Sequence, residues 1–161
     1  MILARTFDAK RITEIINDPS ISDLLCDDNT QNTVIDDCSG QCWIGVFDDN
    51  NVMQGAFLLI PQNSVTVDIH TCLLPVLHGN QAIQAGRMLL NIVFANYQKA
   101  VTSVPVNNRR ASLFAVRLGF KPEGVNRQSF LKNGQLLDQK VMGLTIGEYV
   151  CQQQPLQGQE L

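Results

Sequence analysis

The stretch that decides the fold begins Ser64-Val-Thr-Val-Asp68-Ile-His70-Thr-Cys-Leu73-Leu74, turns through Pro75-Val-Leu-His78-Gly79-Asn80, and continues Gln81-Ala82-Ile-Gln84-Ala-Gly86-Arg-Met-Leu-Leu-Asn-Ile-Val-Phe-Ala-Asn-Tyr97. β-Branched residues dominate its first part and predict a strand over 64–74, ended by the proline. The last part carries apolar residues at 82, 85, 89, 93 and 97, with Ile83, Leu90 and Phe94 on a second stripe, which predicts a largely buried helix. A second β-rich run follows at 100–106. Two strands joined by a helix of this length are expected to lie parallel and adjacent, because parallel neighbours need a long crossover.

Upstream, a short strand over 2–6 precedes Asp8, an N-cap for a helix through Ile12, Ile15 and Ile16. Asp18-Pro19-Ser20 breaks that helix, and Ser20 with Asp23 three residues on suggests a second short one. Runs at 41–47, 52–60 and 64–74 are separated by Asp48-Asp49-Asn50-Asn51 and Pro61-Gln62-Asn63, so they read as an antiparallel meander. Downstream, Asn107 or Asn108 caps a helix through Leu118, and Gly119 ends it. Two closing strands, 125–131 and 137–145, meet at Asn133-Gly134, a hairpin signal. The expected organisation is one domain over 1–150 and a flexible, Gln-rich tail over 151–161.

The composition narrows the partners. With 45% apolar and 17% charged residues over 161 positions, the chain can bury a core without disulfides or metals. A net charge of −3 disfavours broad electrostatic binding to nucleic acid. No apolar run is long enough for a membrane span, and Met1-Ile-Leu-Ala-Arg-Thr-Phe7 lacks the regions of a signal peptide, so a cytoplasmic setting is expected. The five cysteines, Cys26, Cys38, Cys42, Cys72 and Cys151, are scattered and odd in number, as expected of reduced thiols. With only His70 and His78 as histidines, no metal site is expected.

The order strand, two helices, three-strand meander, helix, strand, helix, two strands resembles the GCN5-related N-acetyltransferase (GNAT) superfamily. Asn108-Arg-Arg-Ala111 with Leu118-Gly119-Phe120 and Glu123-Gly124 looks like the family's segment in which an Asn opens the fourth helix and Gly-Phe closes it. Phe130 through Asp138 and Met142-Gly-Leu resemble its closing hairpin. The resemblance implies an α/β (α+β) fold, a mixed, mostly antiparallel twisted sheet flanked by about four helices. It also implies acetyl-CoA as cofactor and an amine as acceptor. Asp68 and His70, on one face of their strand, are then the candidate general base. Leu73 and Leu74 at the strand end, the helix start Gly79, Asn80, Gln81 and Ala82, and Asn108 are the candidate cofactor-binding residues.

Two departures stand out. The family favours Arg/Gln-x-x-Gly-x-Gly/Ala before this helix; read as Gln81-x-x-Gln84-x-Gly86 the chain lacks the middle glycine, leaving the Gln84 side chain as a substitute phosphate ligand, and read from His78-Gly79 it lacks one residue of the usual loop. Where many members carry a Tyr to protonate the leaving thiolate, this chain has Ala115, beside Phe114. Arg109 and Arg110 are either ligands of the cofactor's phosphate or solvated first-turn residues. His70-Thr-Cys-Leu-Leu-Pro75 and Pro105 resemble an acetyltransferase-like branch encoded by tailed bacteriophages, which implies an alternative: a non-catalytic protein of head assembly or virion structure, with phage or host proteins as partners. A third alternative is an acyl-CoA sensor.

Overall fold

The computed structural model describes residues 1–153, in the order β1 (Ile2–Arg5), α1 (Ala9–Ile16), α2 (Pro19–Leu25), β2 (Cys42–Phe47), β3 (Met53–Pro61), β4 (Thr66–Leu73), a single 3-10 turn (Pro75–Leu77), α3 (Asn80–Phe94), β5 (Lys99–Pro105), α4 (Arg109–Arg117), β6 (Lys121–Lys132), β7 (Gln135–Thr145) and α5 (Ile146–Gln153). Local chemistry explains most boundaries. The Asp8 carboxylate accepts from Arg11 N at 2.9 Å and starts α1. The cap of α2 is Asp18 and not Ser20, because Pro19 at the first helical position needs no N–H acceptor and presets φ. Asn108 Oδ1 accepts from Ala111 N and opens α4, and Gly119 closes it at φ +96°. Asn133 and Gly134 both take positive φ in the β6–β7 turn.

α5 is not among the expected elements. Thr145-Ile-Gly-Glu148 builds a reciprocal cap: Thr145 N donates to Glu148 Oε2 at 3.0 Å, and Glu148 N donates to Thr145 Oγ1 at 3.3 Å. The tail expected from Cys151 is therefore helical through Gln153. Its remainder, 154–161, lies outside the described residues.

The seven strands form one sheet in the order β1-β2-β3-β4-β5-β7-β6. Every neighbouring pair is antiparallel except β4 and β5, which are parallel across the α3 crossover as expected. One face packs on α3 and α4 around Phe57, Leu89, Leu90 and Leu144. The other packs on α1 around Ile12, Ile15, Trp43 and Cys72, with Ile21 and Leu25 of α2 at its margin. Strand alternation directs Val67 and Ile69 towards α3 and α4, and Asp68, His70 and Cys72 towards α1 and α2. No helix among the described residues is long and apolar enough to cross a membrane.

Candidate functional site

The parallel pair is short. Only Thr66–Lys99, Val67–Ala100 and Asp68–Val101 are in register, and beyond them β4 and β5 diverge. From 69 to 73 the outer edge of β4 has no strand partner, so alternate backbone N–H and C=O groups of that stretch face the opening. A cleft of about 670 Å³ occupies the split and passes between the two faces of the sheet, walled by α3 and α4 on one side and α2 on the other.

On the α3 side, Gly79 precedes the helix at φ +69°, a conformation that favours glycine, and no side chain caps the helix start. The first intrahelical bond at this end runs from Ile83 N to Gly79 O, which leaves the N–H groups of Asn80, Gln81 and Ala82 without helical acceptors. Those donors and the helix dipole suit an anionic group. Gly79, Ala82, Ile83 and Gly86 form the helix face that borders the cleft. A side chain at Gly86 would meet Leu118 Cδ1 at 2.6 Å, so glycine here lets α3 and α4 approach. Asn80 and Gln84 lie instead on the outer face, beside Arg87 and Met88. Gln84 is thus not among the residues that border the cleft.

Of the sequence-predicted residues, His70, Leu73, Gly79, Ala82 and Asn108 border the cleft, whereas Asp68, Leu74, Asn80 and Gln81 do not. Leu74 packs on the α1 layer, and its N–H is bonded to Gln54 O at 3.1 Å. The Asn108 side chain is already engaged: besides capping α4 it donates from Nδ2 to Leu24 O at 3.2 Å, tying α4 to α2. Asp68 Oδ2 lies 3.5 Å from His70 Nε2, and Asp68 Oδ1 is buried without a hydrogen-bond partner among the described residues. Arg110 borders the cleft and Arg109 does not. Arg110 approaches His78 Nε2 at 3.5 Å; burial first, and then the guanidinium, hold the His78 imidazole below its usual range. Ala115 is buried in the wall at 4% exposure. The Cys72 thiol is pushed up to about 12, chiefly by burial, and is no nucleophile at neutral pH.

Sequence reasoning missed the α2 wall, Ile21, Leu24 and Leu25, and the polar pair Thr102 and Ser103 on β5. The one signal was two adjacent hydroxyls inside an apolar strand. Nothing in the α2 sequence told that it would close a cleft. Its position is fixed by distant partners: buried Lys132 Nζ reaches Asp23 Oδ1 at 3.0 Å and Cys26 O at 3.2 Å. Asp28, just beyond, accepts from Asn133 N and Gly134 N at 2.8 Å each.

A mixed sheet of this order, split at its single parallel pair, is the fold of the GNAT N-acetyltransferases. Among solved structures the chain is similar to the spermidine N-acetyltransferase of Vibrio cholerae in complex with CoA and spermine, at 21% identity, 92% coverage of this chain, 98% of that chain and a TM-score of 0.73. A mutant of the spermidine N-acetyltransferase SpeG of Vibrio cholerae gives 19% identity, 96% and 100% coverage and a TM-score of 0.77. A putative phosphinothricin N-acetyltransferase gives 14%, 89% and 98%, with a TM-score of 0.74. At these identities the likeness concerns the fold. No protein-family model matches the chain, and no curated protein sequence matches it.

Proposed function

We propose that this protein is an acetyl-CoA-dependent N-acetyltransferase that moves acetyl to an amine by direct attack. The observation that carries the reading is the split between β4 and β5, which brings an uncapped helix start to one face of a continuous cleft and His70 to the other. Acetyl-CoA, when bound, supplies the acetyl group as a thioester. The helix start, with the free N–H of Ala82 at the cleft and those of Asn80 and Gln81 next to it, would hold its pyrophosphate, with Arg110, which borders the cleft, as a further cation. The unpaired edge of β4 offers N–H groups to the acetyl oxygen as negative charge develops there. His70 takes the proton that the amine loses as its nitrogen bonds to the carbonyl carbon, and Asp68 orients the imidazole and stabilises its cation. The carbon–sulfur bond would break with its electron pair on sulfur; the buried Ala115 supplies no proton to that thiolate, which would be protonated from solvent. The spermine bound by the Vibrio cholerae neighbour supports an amine acceptor.

A non-catalytic role in head assembly, suggested by the phage-encoded branch, draws no support from these neighbours, all of them named as acetyltransferases. Thermal melting with and without CoA, followed by acetyl transfer to a panel of amines, tests the proposal. CoA at a hundred times its Kd is expected to add about 2.7 kcal/mol to stability. No shift at millimolar CoA would remove both the enzyme and the sensor readings.

A further inference from the structure

The α2 side of the cleft differs in chemistry from the α3 side. Register places Ser103, Pro105, Gln139 and Phe130 on the same sheet face as His70: Asp68 pairs with Val101, Pro105 with Gln139, and Phe130 with Leu137. α2 covers this face with Ile21, Leu24 and Leu25. The subsite that His70 serves is thus bounded by the aliphatic side chains of Ile21, Leu24 and Leu25 and the ring of Phe130, with Thr30, Ser103 and Gln139 as uncharged polar groups between them. Asp27 is the only carboxylate among the described residues lining the cleft. Its Oδ1 is occupied inside its own turn, accepting from Asn29 N, Thr30 N and Thr30 Oγ1. The other carboxylates nearby are engaged elsewhere: Asp23 with Lys132, Asp28 with the β6–β7 turn, and Asp68 with His70.

We infer that the acceptor is a primary monoamine with an apolar body, and that polyamines are poor acceptors. The inference rests on the acetyltransferase reading and names the substrate class of that site. Asp27 Oδ2 is the one carboxylate oxygen of the lining without a partner among the described residues, and it balances one ammonium; Asp68 Oδ1, also without a partner, is buried and outside the lining. Each further charge of a polyamine would lie against Ile21, Leu24, Leu25 or Phe130 with no counter-ion, and an unpaired charge in an apolar wall is strongly disfavoured. An apolar body gains from the same walls by leaving water. It also sheds water around the amine, which favours the neutral, nucleophilic form that His70 must produce.

The test compares 2-phenylethylamine with spermidine at physiological salt, by acetyl transfer from acetyl-CoA and by calorimetric binding of each amine to the full chain. 2-Phenylethylamine is expected to bind at least about tenfold more tightly, and to show a kcat/KM higher by a similar factor. Leu24→Asp adds a second carboxylate to the wall and is expected to narrow or reverse that preference; if it fails to fold, Phe130→Asp places the carboxylate on the facing wall and is expected to act in the same direction. Preferential binding of 2-phenylethylamine without turnover would support the apolar subsite while defeating the acetyltransferase reading. Turnover or binding of spermidine equal to or better than 2-phenylethylamine would overturn the inference and leave the acetyltransferase reading standing. Failure of 2-phenylethylamine to bind at millimolar concentration, or an unchanged preference in a folded Leu24→Asp, would overturn it as well.

Discussion

His70 is half exposed, at 49% for the side chain, and faces the cleft, while its neighbour Asp68 is more enclosed at 22% and lies outside the lining. That difference separates their roles. In the proposed reaction His70 is the group that meets the acceptor, and Asp68 acts through it. With general-base assistance typically contributing about 10² to 10⁴ in rate, His70→Ala is expected to lower kcat at least tenfold with CoA affinity nearly unchanged. Asp68→Asn should lower it less, because it removes only the carboxylate that lies beside the imidazole and leaves the imidazole in place. Full activity in both variants, each shown to melt like the parent, would sink the assignment. The melting control matters because removing a partner from a buried polar atom costs about 1–3 kcal/mol by itself.

Among the elements, α2 is held by contacts far away in sequence, and α5 by a local cap joined to Lys121. α2 is held as a cleft wall through Lys132, whose ammonium is 5% exposed for the residue and bonds both to Asp23 and to the carbonyl that ends the helix segment, Cys26 O. Lys132→Ala leaves that carbonyl unpartnered and is expected to lose about 1–3 kcal/mol in urea unfolding. An unchanged midpoint would show that Asn108 and Asp28 suffice to hold the wall. α5 starts on Glu148, whose carboxyl is held down at about 2 by the Lys121 ammonium first and by the Thr145 N–H and hydroxyl next, against an ordinary 4.5. A folded value below the unfolded one stabilises above the unfolded pKa and stops doing so as pH falls through the folded one. Glu148→Gln should therefore be less stable than the parent at pH 7, and the gap should close between about 4.5 and about 2. A gap that persists at the acid end would mean the carboxylate charge is irrelevant to the cap.

The molecule as a whole is two packed layers sharing one sheet, and β2, β3 and β4 contribute side chains to both cores. The layers are accordingly expected to unfold together. Ile12 is 0% exposed in the α1 layer, and Ile12→Ala should cost about 2–5 kcal/mol. Trp43, the chain's single tryptophan, sits in that layer, so its fluorescence reports one core while far-ultraviolet dichroism reports all the helices and strands. Coincident transitions in the parent and in Ile12→Ala would confirm cooperative unfolding; a fluorescence midpoint at lower denaturant would show the α1 layer melting alone.

Short-range chemistry was enough for much of this architecture. Alternation and helical stripes located β1 to β7 and α1 to α4 to within a few residues, Asn108 and Gly119 bounded α4, and Asn133-Gly134 fixed the last hairpin. The parallel pairing of β4 with β5 followed from the length of the crossover alone. Even α5 had a local signal in Thr145-x-x-Glu148, hidden because a strand residue doubles as the cap. The sequence by itself also placed His70 and Asp68 on one strand face. Three features are settled by packing alone: where the pairing of β4 and β5 stops after Asp68, which side chains then meet across the gap, and the engagement of Asn108 with α2. These depend on contacts spanning up to 106 positions, such as Lys132 with Cys26, and no spacing along a chain encodes which distant groups will satisfy each other's buried hydrogen bonds.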